Sequence, residues 1–407
     1  MDALSILSGT VKHYDWGGYT FIPSLLNVSN YEQKPFAEYW LGVHPQAENL
    51  AIQSDRSVIL LRDYFSTKPS VALGEEVAKR FDNLPYLVKV LDVKDMLSIQ
   101  VHPSKAQAEI DFLEENKKGI PLDSPLRNYK DKNHKPELMV AIGDFWLLHG
   151  FKPEKEISTT LQSIPELRGL LSVFEKESYR GLYKKIMEMP QAHVNLQLEP
   201  LIDRLIPLYK DGKLKKSDAG YWAAKAAISF SKPGKADRGI YSIFLFNLVA
   251  LHSGDAIFQD AGVPHAYLEG QNVEIMASSD NVLRGGLTTK HIDVAELLKH
   301  IKCEATYPRI DKGEKHGAEF IYKTPAPDFQ LSSFVLNEDE EVSFTTGTAE
   351  VMLLISGEVK VSNDNGTVTL KKGQPSAIAV AGQTINIVAK QRSWLFKSTV
   401  PAHGIDK

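Results

Sequence analysis

Two textures of apolar and polar positions follow one another along this chain. From residue 1 to about 151, short apolar or alternating segments such as Tyr86-Leu87-Val88-Lys89-Val90-Leu91 are separated by Gly, Pro, Asn and Asp, which predicts β-structure. Between about 152 and 231 the period becomes helical, with Ile157, Leu161, Ile164, Leu167, Leu170 and Leu171 as one series and Leu201, Ile202, Leu205 and Leu208 as another. Ser231-Lys232-Pro233-Gly234-Lys235 reads as a polar connector, after which the apolar run 241–251 resumes the β texture. Val294, Leu297, Leu298 and Ile301 then predict a short helix, with Asp293 as N-cap and Glu296 as its return partner. Beyond about Tyr307, strands are expected at 350–355, 358–361, 367–370, 376–380 and 384–388. Glycine and asparagine turns punctuate them, as in an antiparallel sandwich or barrel. The expected fold is mainly β with an inserted α domain. Residues 1–151 and 232–306 form one discontinuous β domain, 152–231 a helical insert, and 307–407 a second β domain.

Length supports that division, because 407 residues exceed one ordinary core and suggest roughly two to three domains. Hydrophobic content of 43% and charged content of 24% are ordinary for a globular protein. A net charge of −4, with no basic run beyond pairs such as Lys117-Lys118, speaks against a nucleic-acid surface. Residues 1–19 lack a basic segment followed by an apolar one, and no run approaches the ~20 apolar residues of a membrane span. A cytoplasmic protein with no membrane partner is expected. Cys303 is the single cysteine, so an intramolecular disulfide and a cysteine-cluster zinc site are both excluded. It lies just past an apolar helical pattern and reads as a buried, inert thiol.

Any metal must therefore be held by histidine and carboxylate, and the chain offers both in a suggestive setting. In Ser98-Ile99-Gln100-Val101-His102-Pro103, strand alternation sends Ser98, Gln100 and His102 to one face. Asn133-His134-Lys135-Pro136-Glu137 follows about thirty residues later, and Gly262-Val263-Pro264-His265-Ala266-Tyr267 adds a further histidine. Gln100, His102, Glu137 and His265 together make a nitrogen and oxygen donor set of the type zinc accepts. With one carboxylate against a divalent ion the site stays electrophilic, which suits Lewis-acid work on a carbonyl. Lys135 falls on the same side as Glu137, where an ammonium beside a cation is disfavoured unless an anionic substrate holds it. His134 is given no role. Downstream of Glu274, Asp280-Asn281-Val282-Leu283-Arg284-Gly285-Gly286-Leu287-Thr288-Thr289-Lys290 reads as an anion cradle: guanidinium offers forked donors and glycine lets backbone amides approach. A weak echo between residues 254–275 and 373–388 places Thr384 near the position of His265. The late histidine His403 lies near the chain end. Metal chemistry is thus expected in the first β domain alone.

These segments, with Tyr14-Asp15-Trp16-Gly17 and Ala37-Glu38-Tyr39-Trp40, resemble in order the signature segments of the type I mannose-6-phosphate isomerases. The resemblance spans Tyr14 to Lys290. It implies a cupin-type catalytic domain, a helical insert and a second cupin-like jelly roll without a metal site, with one zinc ion per chain; a monomer is expected. It also implies that Gln100, His102, Glu137 and His265 are the zinc ligands and Arg284 the catalytic arginine. Lys135 would handle substrate or protons, and Trp16, Ser98, Glu274, Asp280 and Lys290 match pocket positions. Gly285 and Thr289 depart from the alanine and proline of the family pattern, a change that leaves the charges intact and alters the stiffness of the loop.

The activity implied is reversible interconversion of mannose 6-phosphate and fructose 6-phosphate through a cis-enediol. Arg284, with Lys290 and Lys135 as helpers, would face the phosphate or the enediolate, and Glu274, Lys135 and Asp280, in that order, are candidates for the base. Two other readings use the same residues. An iron oxygenase would need only His102, His265 and Glu137, but leaves Gln100 and the basic loop without purpose. A non-catalytic sugar-phosphate sensor would keep the loop and tolerate loss of the ligands, which are intact here.

Overall fold

The computed structural model describes residues 1–401, in which mainly β-structure surrounds one helical region; His403 lies outside the described residues. A ten-stranded sheet runs in the order Phe246–Leu251, Phe145–Phe151, His265–Ala277, Tyr86–Val93, Glu38–Gly42 and Thr10–Lys12. Beside this path Ala256–Gln259 pairs with Glu137–Ala141 and Leu283–Gly286 with Ile99–Val101. His265–Ala277 is the hub: its first residues pair with Ile99–Val101 and Phe145–Phe151, its last with Tyr86–Val93 and Glu137–Ala141. Gly270, at φ 131°, lies just past the register shift between Tyr267 and Glu269. A Cβ there would come within 2.6 Å of the Asp144 carbonyl oxygen, so only glycine lets the strand serve both groups of partners.

The helical stretch lies where its periodicity places it, as Glu154–Ser163, the 3₁₀ segment Pro165–Leu170, Leu171–Glu188, Gln191–Lys210 and Ala219–Phe230. The apolar run from Tyr241 departs from expectation, because the chain first makes a wholly buried helix, Gly239–Leu245, and turns into a strand only at Phe246. Continuous apolarity marks burial without distinguishing helix from strand. The N-terminal third also contains helices within its β texture, including Lys105–Lys117. Asp293 caps Val294–His300 as expected, its Oδ1 accepting the Glu296 N–H at 3.0 Å.

Beyond residue 313 the strands build a nine-stranded sheet, in the order Glu314–His316, Glu319–Tyr322, Gln330–Leu336, Ser393–Thr399, Glu350–Ser356, Ser376–Ala379, Leu4–Ser8, Leu50–Ile52 and Val58–Leu60. Glu341–Thr345, Thr384–Ala389, Val359–Asn363 and Gly366–Leu370 form a second, four-stranded sheet. The chain's first strand is thus lent to the C-terminal sheet, pairing Leu4 with Ala379 and Ile6 with Ala377. Tyr86 fastens the two β regions together, its hydroxyl reaching the Ala349 and Ser398 carbonyl oxygens at 2.8 and 3.0 Å.

Candidate metal centre

His102 directly follows the strand Ile99–Val101, Glu137 opens Glu137–Ala141, and His265 opens the hub strand, so three strand ends bring their side chains together. His102 Nε2 lies 3.4 Å from Glu137 Oε1, and His265 Nε2 lies 3.2 Å from Glu137 Oε2. All three residues are buried, and one ligand atom from each falls within 4.8 Å of the others.

The backbone orients both rings. His102 Nδ1 meets the Asn281 carbonyl oxygen at 2.9 Å and His265 Nδ1 that of Val263 at 3.1 Å. A carbonyl only accepts, so each Nδ1 carries a hydrogen and each ring turns its Nε2 toward Glu137. Burial pushes the His102 imidazolium down to about 4, overriding the attraction of Glu137, so that ring is neutral near pH 7. Its Nε2 is fully buried and makes no hydrogen bond. Burial opposes the charge of Glu137 as well, but Lys135 and then His102 outweigh it and hold the carboxyl well below its usual range. Lone pairs from two imidazoles and an ionised carboxylate thus converge on one point, an arrangement that repels itself without a cation and fits a zinc donor set.

Backbone register adds Gln100. Arg284 pairs with Gln100, Gln100 with His265, and His265 with His149, a row across four strands in which directly opposed residues share a face. Lys135 Nζ stands 2.9 Å from Glu137 Oε1. Glu274 lies deeper, accepting the Tyr267 hydroxyl at 2.9 Å and facing Lys89 Nζ at 3.4 Å; burial, then Glu137, raises its pKa. Asp280 belongs to the rim, with Oδ1 3.3 Å from His44 Nε2. Trp16 and Leu97 pack against the apolar cluster that contains Tyr267, and Trp16 stacks on Tyr14 at 5.9 Å, while Ser98 is half-buried just before the strand Ile99–Val101.

Arg284 and Lys290 share a neighbourhood: burial lowers the pKa of both, and Arg284 adds to the effect on Lys290. Their glycines differ from the cradle anticipated from sequence. A Cβ on Gly286 would lie 2.4 Å from Gly239 Cα, and one on Gly285 2.9 Å from Ile99 Cγ2 and the Tyr183 hydroxyl. The Leu287 N–H is already bound by Asp237 at 2.8 Å. These glycines admit the helix Gly239–Leu245 and its surroundings.

Sequence reasoning missed Lys89, held between Glu38 and Glu274 at 3.6 and 3.4 Å. Burial works against this ammonium, yet Glu38 and Glu274 raise its pKa. The available signal was a lysine inside the apolar run Tyr86–Val93, all of it buried. Asn281 was also passed over, although its side chain ties Lys130, Asp131 and Asn133 to the segment that holds His102. His134, by contrast, pairs with Asp328 at 2.8 Å and braces the site against the C-terminal region. Cys303 is partly buried, and burial pushes its thiol up to about 11, as an inert role requires.

Residues 4–154 match the family model of the phosphomannose isomerase type I catalytic domain. Over 383 residues the chain is 35% identical to the mannose-6-phosphate isomerase of Shigella flexneri, an alignment covering 94% of this chain and 96% of that protein. The chain belongs to the mannose-6-phosphate isomerase family. The human mannose-6-phosphate isomerase is 31% identical over 387 residues, 88% of each chain. A crystal structure of the Salmonella typhimurium mannose 6-phosphate isomerase, bound to its substrate fructose 6-phosphate and to zinc, superposes with a TM-score of 0.87 at 32% identity, covering 98% of this chain and 99% of that one. Membership in the mannose-6-phosphate isomerase family makes this chain an isomerase. No helix among the described residues is long and apolar enough to cross a membrane.

Proposed function

We propose that this chain interconverts mannose 6-phosphate and fructose 6-phosphate through a cis-enediol, with one zinc ion held by Gln100, His102, Glu137 and His265. The observation that carries this reading is the convergence of two oriented Nε2 lone pairs on the Glu137 carboxylate. When bound, zinc supplies Lewis acidity toward the carbonyl and hydroxyl oxygens of the open-chain sugar.

The residues around it take distinct tasks. Arg284, the register neighbour of Gln100, faces the charge that develops on the enediolate, and the more exposed Lys290 takes the phosphate. Glu274 moves the proton between C2 and C1. Of the three candidate bases, Asp280 is held below its usual range by His44 against the effect of burial and Lys135 is paired with Glu137, whereas burial and then Glu137 raise the proton affinity of Glu274. Lys89 and Tyr267 hold that carboxylate in place. Trp16 and Ser98 line the substrate side.

In the same reading, both β regions are cupin-like jelly rolls. Residues 1–151 and 232–306 form the catalytic one, except that the strands Leu4–Ser8, Leu50–Ile52 and Val58–Leu60 join the sheet of its neighbour; 152–231 is the helical insert, and 307–407 the roll without a metal site. The enzyme is a cytoplasmic monomer. A coupled isomerase assay with and without a chelator tests the central claim. Activity should vanish with the metal and return with added zinc; full turnover in metal-free protein would end the proposal.

A further inference from the structure

A cavity of about 500 Å³ opens between the turn at residues 253–255 and the face of the nine-stranded sheet that carries Leu331 and Phe396. It stands apart from the metal centre. Glu137 and Ala141 are opposite ends of one strand, and the Ala141 N–H bonds the Asp255 carbonyl oxygen at the cavity wall. Four residues of strand at ~3.3 Å each put roughly 13 Å between the two.

The lining has a definite chemistry. Val335 and Trp394 are register partners on adjacent strands and both face the opening, with Val335 41% exposed, so the chain leaves an apolar platform uncovered in a concave place. Beside it stand two cations and one carboxylate. Lys312 Nζ is 3.4 Å from Asp255 Oδ1, whereas the Arg392 guanidinium has no ion-pair or hydrogen-bond partner among the described residues. The hydroxyls of Ser253 and Ser356 complete the rim. A flat apolar surface next to an unpaired guanidinium and hydroxyl donors matches a ring that carries a phosphate, since the ring face stacks on indole and the phosphate takes the forked donors. The volume suits such a ligand.

We propose that this cavity is a second ligand site, separate from the catalytic one, for an organic phosphate borne on a ring, with the ring on Trp394 and Val335 and the phosphate on Arg392. Nucleotides and ring-locked sugar phosphates share this chemistry, and calorimetric titration of the zinc-loaded full chain with ADP and with methyl glucoside 6-phosphate separates them. At least one should bind in the submillimolar range. Arg392→Glu, a change in an exposed turn, should weaken that binding at least tenfold while kcat and KM for mannose 6-phosphate stay unchanged. Trp394→Leu, which keeps the site apolar, should weaken it through loss of the ring face. The site is refuted if neither probe binds, if Arg392→Glu leaves the affinity intact, or if inorganic phosphate binds as tightly as the better probe.

Discussion

Ile385 and Ile387 in the C-terminal region, and Glu137 and Met139 in the metal-bearing one, are buried alternate residues of their strands, and each pair points to one face. The C-terminal interior continues as the isoleucines begin, with Leu336, Met352, Leu354, Val361 and Leu370 closing an apolar cluster. The other interior mixes Leu91, Met139 and Leu147 with Lys89, Glu137 and Glu274. Burying ions is costly unless each has a partner, and here Lys89 sits between two glutamates while Lys135 faces Glu137. Thr384, which the sequence echo set near the place of His265, is an exposed strand end. One region therefore gives up apolar packing for a charged, solvent-poor pocket, and the other, although it buries Lys397 and Glu350, supplies cohesion through its larger apolar cluster.

The sharpest way to break this contrast is Glu137→Ala. Removing the single carboxylate should empty the metal site and lower turnover by about a thousandfold, read as zinc per chain and coupled isomerase rate; a variant that keeps both would transfer the chemistry elsewhere. Arg284→Ala should cost roughly a hundredfold in turnover with zinc retained, because in the proposed reaction the residue meets developing charge, while in the strand register Gln100 stands between it and His265. Near-normal turnover with zinc bound would remove Arg284 from the reaction.

On the apolar side, Ile387→Ala should destabilise the fold by about 2–5 kcal/mol, since Ile387 is fully buried and its loss leaves a cavity. Denaturant titration measures this, and the folded fraction should retain its zinc and its turnover. If turnover per folded molecule fell as far as in Arg284→Ala, the division between cohesive and reactive interiors would be wrong.

How much of this was legible beforehand depended on whether the signal was local. Gln100 and His102 could be placed on one face because alternation operates over three residues, and Asp293 could be named as a cap because its partner Glu296 is three positions away. The pairing of Leu4–Ser8 with Ser376–Ala379 spans nearly the whole chain and leaves no local trace. The helix Lys105–Lys117 escaped the hydrophobic pattern because Ile110 and Leu113 are exposed while Asp111 and Glu115 are buried. Asp111 and Glu115 are satisfied by the remote partners Lys299, Tyr129 and Arg127. Lys89 was hidden for a related reason: a buried lysine becomes intelligible only when Glu38 and Glu274, from two other strands, are seen on either side of it.

The smallest expected effect sharpens the comparison at the edge of the metal centre. His149, beside His265 in the register row and hydrogen-bonded through Nδ1 to Gln259 at 2.7 Å, is pushed down to about 4 by burial and then by His265. The unfolded chain takes up this proton near the ordinary value of 6.5, whereas the folded chain refuses it until about 4. Stability fully present above pH 6.5 is therefore lost progressively as the pH falls toward 4, by up to about 3 kcal/mol for this group. In chelator-treated protein His102 behaves in the same sense. His149→Gln, which can still hydrogen-bond to Gln259, should remove about half of the slope the two imidazoles produce in denaturant-derived stability between pH 6.5 and 4. The C-terminal interior buries charge of its own, with Lys397 over the Phe334 and Phe344 rings and Glu350 pushed up to about 7 by burial, but no imidazole is buried there among the described residues. An unchanged slope in His149→Gln would mean that His149 is charged in the folded chain, and that the interior around the metal ligands is wetter than its burial implies.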